Sequence, residues 1–284
     1  MTSIRHIASG RAELATEIAG SGAPVVFLHA NVCDRRMWRT EQDAIGATHK
    51  AIAYDRRGFG GSRAEPEDFS ALDDLLAVLD ATADGAPAVL VGCSLGGRIA
   101  LDAALRHPAR VRALVLIAPS IAGAPEPVHA PVAAELLAQA RDAEASGDID
   151  RRNASQARLW LDGPLAAEGR VAGPARDLFL AMNGIALRAR PFGADQDIQP
   201  MFHRLGEIAV PTLVLCGDLD FPHIQQRCHH LAATVPGAEH QTLAGMGHLP
   251  SLEDPARISA CIAGFLARRV DGGGGGDRHA GPAR

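Results

Sequence analysis

The sequence predicts an α/β protein: a mainly parallel sheet covered by helices on both faces and interrupted by a helical insertion. Three observations carry this. Short apolar, β-branched runs alternate with segments of helical periodicity along most of the chain. A pentapeptide of the form G-x-S-x-G, Gly92-Cys93-Ser94-Leu95-Gly96, sits between one such run and one such helix. From about residue 122 to 205, helical stretches continue without a convincing strand.

Ile4 to Ile7 and Ala12 to Ile18 flank Ser9-Gly10 and read as an opening hairpin. Val25 to Leu28, after the turn Ser21-Gly22-Ala23-Pro24, reads as a buried strand, and Ala51 to Tyr54 as another. Asp68 to Ala81 puts Phe69, Leu72, Leu75, Leu76 and Leu79 on one face, so an amphipathic helix is expected. The strand Ala88 to Val91 runs through the pentapeptide into a helix from Gly97 to Leu105, and Val111 to Ile117 is the next strand. The insertion carries a helix at Val132 to Ala145, with Pro125, Pro127, Pro131, Pro191, Gly193 and Pro200 near its margins. The core resumes at Val210-Pro211. Pro211 to Gly217 and Glu239 to Leu243 read as strands, and Ile224 to Ala233 and Pro255 to Arg268 as helices. Pro255 suits the first turn of the last one. The expected organisation is a core from 1–121 and 206–269, a cap over 122–205, and a glycine-rich, disordered tail over 270–284.

Composition narrows the function. At 284 residues the chain can bury a full core. A net charge of −5 gives no electrostatic case for nucleic-acid binding. No apolar run approaches the roughly 18 residues needed to span a membrane, and the N-terminus lacks the apolar stretch of a signal peptide. The five cysteines, at 33, 93, 216, 228 and 261, have no metal-like spacing and read as free thiols of a cytoplasmic protein. The histidines, His229-His230 included, show no ligand spacing with a third partner, so no metal and no cofactor is expected. A small-molecule substrate is the expected partner. The sequence is silent on oligomeric state.

The pentapeptide has the form of a nucleophile elbow, in which a serine on a sharp turn projects its hydroxyl above the sheet. Downstream, the strand ending at Gly217 leads into Asp218-Leu219-Asp220, and Gly245-Met246-Gly247-His248 places a histidine among turn-forming residues. Serine, acid, histidine is one of the known chain orders of a hydrolytic triad. Ser94 is the candidate nucleophile and His248 the candidate base. Leu95, the residue after the serine, is a candidate oxyanion donor through its backbone N–H. Asp218 and Asp220 are both candidates for the acid.

Along about 268 residues the chain resembles the α/β-hydrolase fold superfamily. Five segments carry the resemblance: Val25 to Asn31, Tyr54-Asp55-Arg56-Arg57-Gly58-Phe59-Gly60-Gly61-Ser62, the elbow, the Gly217 to Asp220 loop, and the Gly247-His248 loop. Their order and spacing match as well. His29-Ala30-Asn31 with Met37-Trp38, Ser62 and Pro250 resemble the 3-oxoadipate enol-lactonase-like branch. The resemblance implies Asp220 as the acid, at the G-x-x-D position counted from Gly217, and leaves Asp218 as a turn cap. It implies the backbone N–H of Asn31 as the second oxyanion donor. Ala30 departs from the commoner glycine there, and a positive φ at that residue would be costly.

Asp55, Arg56 and Ser62 match a loop near the family's active site and are read as a polar turn held by internal hydrogen bonds. Trp38 and Trp160 fit either the cleft or interior packing. Arg158, Arg170, Arg176, Arg188 and Arg190 of the cap are candidates for a substrate carboxylate. Leu249, where the family's carbon–carbon hydrolases often carry tryptophan, weakens that branch. The expected function is serine hydrolysis of a small carboxylic ester or lactone through an acyl-enzyme on Ser94. The alternatives are a non-hydrolytic enzyme of a small-molecule pathway (cyclisation or acyl transfer) or a ligand-binding or signalling module.

Overall fold

A computed structural model describes residues 3–272. Strands β1 (Ser3–Ser9) and β2 (Ala12–Ala19) form the antiparallel hairpin, turning at Gly10. The others are β3 (Pro24–Leu28), β4 (Lys50–Tyr54), β5 (Arg63–Ala64), β6 (Ala88–Cys93), β7 (Val111–Ile117), β8 (Thr212–Gly217) and β9 (Glu239–Leu243). They join in the order β1-β2-β4-β3-β6-β7-β8-β9, with β5 beside β2, and the sheet is parallel from β4 to β9. Strands buried on both faces need apolar side chains in both directions, which is why β3, β6 and β8 are continuous apolar runs.

Alternate residues divide between two cores. Val26, Leu28, Ile52, Leu90, Leu114 and Val214 point to helices α2 (Ala71–Thr82), α3 (Leu95–Arg106) and α7 (Pro222–Thr234). Val25, Phe27, Val89, Val115 and Leu213 point to α1 (Arg39–Ile45) and α9 (Pro255–Leu266). Trp38 belongs to this second core; it is fully buried, with its ring centroid 5.5 Å from that of Phe27.

Some boundaries differ from the sequence expectation. Helix α2 begins at Ala71 rather than Asp68, because the Ser70 hydroxyl caps it by accepting from Asp73 N (3.1 Å). Phe69 is instead extended and bridges to Asp195. Helix α1 and the short α8 (Pro250–Glu253) have no counterpart in the sequence reading. The insertion folds as α4 (Pro131–Ala145), α5 (Ile149–Ala157) and α6 (Pro174–Leu187), joined by a helical turn at Arg158–Asp162. Val270, the expected start of the tail, is buried in a closing helical turn, and its carbonyl accepts from Arg112 Nη2 (2.8 Å). The ordered core therefore reaches Asp271. Gly272 caps that turn, and residues 273–284 lie outside the described residues.

The chain leaves β3 toward β4 on one side and leaves β6 toward β7 on the other. This reversal opens a crevice beyond the carboxyl ends of β3 and β6, the usual ligand position in a parallel sheet. His29-Ala30-Asn31 follows β3, and Ser94 follows β6.

Candidate active site

Ser94 joins β6 to α3 with φ 53° and ψ −115°, a conformation that residues with a Cβ rarely adopt. The neighbouring glycines make the turn possible. A Cβ on Gly96 would lie 2.1 Å from the Leu28 carbonyl oxygen, and one on Gly92 would lie 2.6 Å from the Gly96 carbonyl oxygen. Ser94 N donates to Ile117 O (3.0 Å), which fixes the turn to β7. Among the described residues the Ser94 hydroxyl makes no hydrogen bond, to the helix it precedes or to His248. Leu95 opens α3, so its amide is one of the N–H groups that the helix itself leaves unpaired.

Asp220 and His248 are brought together. Asp220 Oδ2 lies 2.6 Å from His248 Nδ1, and both side chains are buried. Asp220 Oδ1 accepts from Phe221 N (2.7 Å) at the start of α7, so both carboxylate oxygens have partners. With Nδ1 held by Asp220, Nε2 is the imidazole nitrogen without a hydrogen-bond partner among the described residues. The His248 loop rests on the elbow strand, where Cys93 Sγ lies 3.7 Å from the His248 carbonyl oxygen. Burial pushes the Cys93 thiol pKa well up, so it stays protonated and unreactive. Asp218 acts on the backbone instead. Its Oδ1 accepts from Gly245 N (2.7 Å) and shapes the turn leading to the histidine. Trp160, from the cap, packs on the imidazole with centroids 4.8 Å apart and touches Phe221 on its other flank at 5.3 Å.

Asn31 and Leu95 line one cavity of about 320 Å³. Leu95 is where this cavity reaches the elbow; Ser94 and His248 are not among its lining residues. Ala30 does not need the left-handed region: among the described residues, only Asp84, Ser94 and Ala118 combine a side chain with positive φ. The loop is turned by Cys33 N donating to Ala30 O (3.1 Å). His29 is buried beneath it. Arg56 N donates to its Nε2 (3.0 Å), and its Nδ1 lies 2.8 Å from Ala30 O. That pattern places its proton on Nδ1. Burial, then the Arg56 charge, lowers its pKa well below the ordinary histidine value, so the ring is neutral.

The Asp55 loop splits into two roles. Asp55 accepts from Arg35 N and Gly61 N (2.7 Å each) and pairs with the Arg35 guanidinium; Ser62 Oγ donates to Asp55 O (2.6 Å). These are internal turn contacts. Arg56, read from sequence as part of the same turn, is different: it is one of the residues that line the cavity.

The cap arginines are largely committed elsewhere. Arg158 donates to Gly163 O and Ala166 O, and Arg176 pairs with the buried Asp162 at 3.0 Å. Arg170 donates to Asp162 O, Leu161 O, Gly245 O and Glu253 (2.6–2.9 Å). Glu253 in turn accepts from Gly247 N at 2.8 Å, so it holds the backbone beside His248. Arg188 is exposed and pairs with Asp150, and Arg190 is exposed as well. None of these five lines the cavity at Asn31 and Leu95. Glu253 escaped the sequence reading because its partners are 83 and 6 residues away and carry no motif.

Among the described residues no group of three or more His, Cys, Asp or Glu is disposed to hold a metal ion. None of the described helices is long and apolar enough to cross a membrane.

A model of the alpha/beta hydrolase family matches residues 25–260. A putative carbamate hydrolase RutD from Variovorax paradoxus is 33% identical over 241 residues, covering 81% of this chain and 86% of the relative. Among solved structures, Est816, described as an N-acyl homoserine lactone degrading enzyme, is 26% identical with a TM-score of 0.67, over 92% of this chain and 99% of that one. The enol-lactonase from Burkholderia xenovorans LB400 is 24% identical with a TM-score of 0.68, over 93% of this chain and 100% of that one, a likeness of fold.

Proposed function

Because the chain belongs to the alpha/beta hydrolase family, we propose that it is a serine hydrolase acting on a small-molecule carboxylic ester or lactone. The observation that carries this is the buried Asp220–His248 pair, held at 2.6 Å beside an elbow whose serine hydroxyl is uncommitted. Ser94 Oγ attacks the carbonyl carbon as His248 Nε2 takes its proton. Asp220 keeps the other imidazole proton on Nδ1 and stabilises the imidazolium. The tetrahedral oxyanion is met by the amides of Leu95 and Asn31, each worth about 2.7–4 kcal/mol in the transition state. His248 then protonates the leaving alkoxide, and the acyl group stays on Ser94. Water, deprotonated by His248, completes the cycle. A positioned base of this kind contributes about 10²- to 10⁴-fold.

The named activity of Est816 supports including acyl homoserine lactones in the first substrate panel, and the RutD relative supports including a carbamate. The test is labelling with a fluorophosphonate, followed by mass mapping, with Ser94→Ala as control. One stoichiometric adduct on Ser94, with turnover of at least one ester or lactone, is the expected result. A folded protein without an adduct or turnover refutes the reading.

A further inference from the structure

The cavity beside Asn31 and Leu95 has an unbalanced charge. Its lining includes three arginines, Arg56, Arg57 and Arg98, but only two aspartates, Asp74 and Asp195. Two of the arginines are matched. Arg57 makes a bidentate pair with Asp74 (2.9 and 3.0 Å) and a second bond to Glu67. Arg98 Nη2 bonds Asp195 Oδ2 at 2.6 Å. Asp195 spends its other oxygen on the amides of Ala71 and Asp197.

Arg56 has no carboxylate partner among the described residues. It is 8% exposed, yet the one oxygen its guanidinium bonds is the Ala30 carbonyl, at 3.3 Å from Nη2. The contact of Nη2 with His29 Nδ1 at 3.5 Å is no true bond, because that nitrogen carries the proton. Nε of Arg56 is buried without a partner, as is Nε of Arg98. A guanidinium offers five donors in a planar fork, and leaving them dry and unmatched is costly. The Phe59 ring, 4.6 Å from the Arg56 guanidinium carbon, covers one face of that fork and leaves its edge as the bonding direction. Burial lowers the Arg56 pKa only to about 10, so the group is cationic at neutral pH.

We propose that Arg56 is a substrate-binding residue: it receives a carboxylate carried by the substrate at a distance from the scissile carbonyl. The preferred esters are then ones that carry a second, free carboxylate rather than neutral esters. The proposal rests on the ester or lactone reading above and specifies its substrate class. A carboxylate matches the guanidinium fork geometrically and supplies the direct ion-pair partner that Arg56 lacks among the described residues. The same cavity is lined by Leu95 and Asn31 as well as Arg56, so a carboxylate held at Arg56 shares one space with the proposed oxyanion donors.

Two measurements test this. The first compares kcat/KM for p-nitrophenyl hemiglutarate and p-nitrophenyl valerate, which differ mainly by the terminal carboxylate. The native protein is expected to prefer the anionic ester by about 30-fold or more. Arg56→Gln should collapse that ratio mainly through KM, with Arg56→Lys restoring part of it. The second is calorimetric binding of glutarate to Ser94→Ala protein, with and without Arg56→Gln. Binding should be lost with Arg56, whether or not any ester is turned over. If neither ester turns over and Ser94 takes no fluorophosphonate, the hydrolase reading fails while glutarate binding still decides the anion site. If Arg56→Gln does not fold, the native preference and inhibition of the native protein by glutarate decide. A native protein that prefers the valerate ester, or glutarate binding that survives Arg56→Gln, overturns the proposal.

Discussion

Replacing Ser94 by glycine should abolish hydrolysis and make the protein more stable. The residue holds φ 53° and ψ −115°. A residue with a Cβ in so sparsely populated a region costs about 1–3 kcal/mol. Glycine adopts it freely but loses about 0.5–1 kcal/mol more backbone entropy on folding. The serine hydroxyl makes no hydrogen bond among the described residues, so its removal forfeits none. Mid-range values leave a net gain of about 1 kcal/mol, with extremes of about 0 and 2.5 kcal/mol, or a rise in Tm of about 2 °C for a domain of this size. Ser94→Ala isolates the cause, since it removes the hydroxyl and keeps the Cβ. Urea unfolding of the two variants, followed by tryptophan fluorescence, should put the glycine variant ahead by that amount. If the glycine variant is no more stable than the alanine variant, the strain argument is wrong.

Two further outcomes are expected. Glu41 is fully buried on α1, and burial raises its pKa from 4.5 to about 8. The folded chain thus keeps a proton that the unfolded chain has lost, so stability falls as pH rises between those values, by up to about 1.4 kcal/mol per unit. Glu41→Gln should flatten that slope in urea titrations at pH 5, 6.5 and 8; an unchanged slope counts against the assignment. Asp220→Asn should lower kcat by about 10⁴-fold, through loss of the imidazole tautomer. Asp218→Asn, which disturbs only the Gly245 turn, should retain most of it, and the opposite ranking would exchange the two roles.

The parallel strands were legible because burial on both faces leaves a plain apolar run, as in Val25 to Leu28 and Leu213 to Cys216. Helix α1 was not, because two of its three buried residues, Glu41 and Gln42, are polar and erase the periodicity. The elbow was legible because a serine in this backbone needs glycines at fixed offsets, and those offsets survive in sequence. Arg56 was not. Its distinction is the lack of a partner, and that depends on Asp195, 139 residues away, being committed to Arg98. The cap arginines show the converse: a carboxylate-binding residue type means little until the backbone carbonyls that occupy it are known.

The contacts of Arg170 bear on how freely such a core exchanges its upper storey. One guanidinium ties the Arg158–Asp162 turn to Gly245 and, through Glu253, to Gly247 next to the histidine. The insertion is therefore no interchangeable module. A chimaera carrying a foreign segment over 122–205 inherits an unpaired Glu253 carboxylate and a slack histidine loop unless it also supplies a cation at this point. Recombination that cuts at residues 122 and 205 by number alone severs the clasp that holds the backbone beside His248.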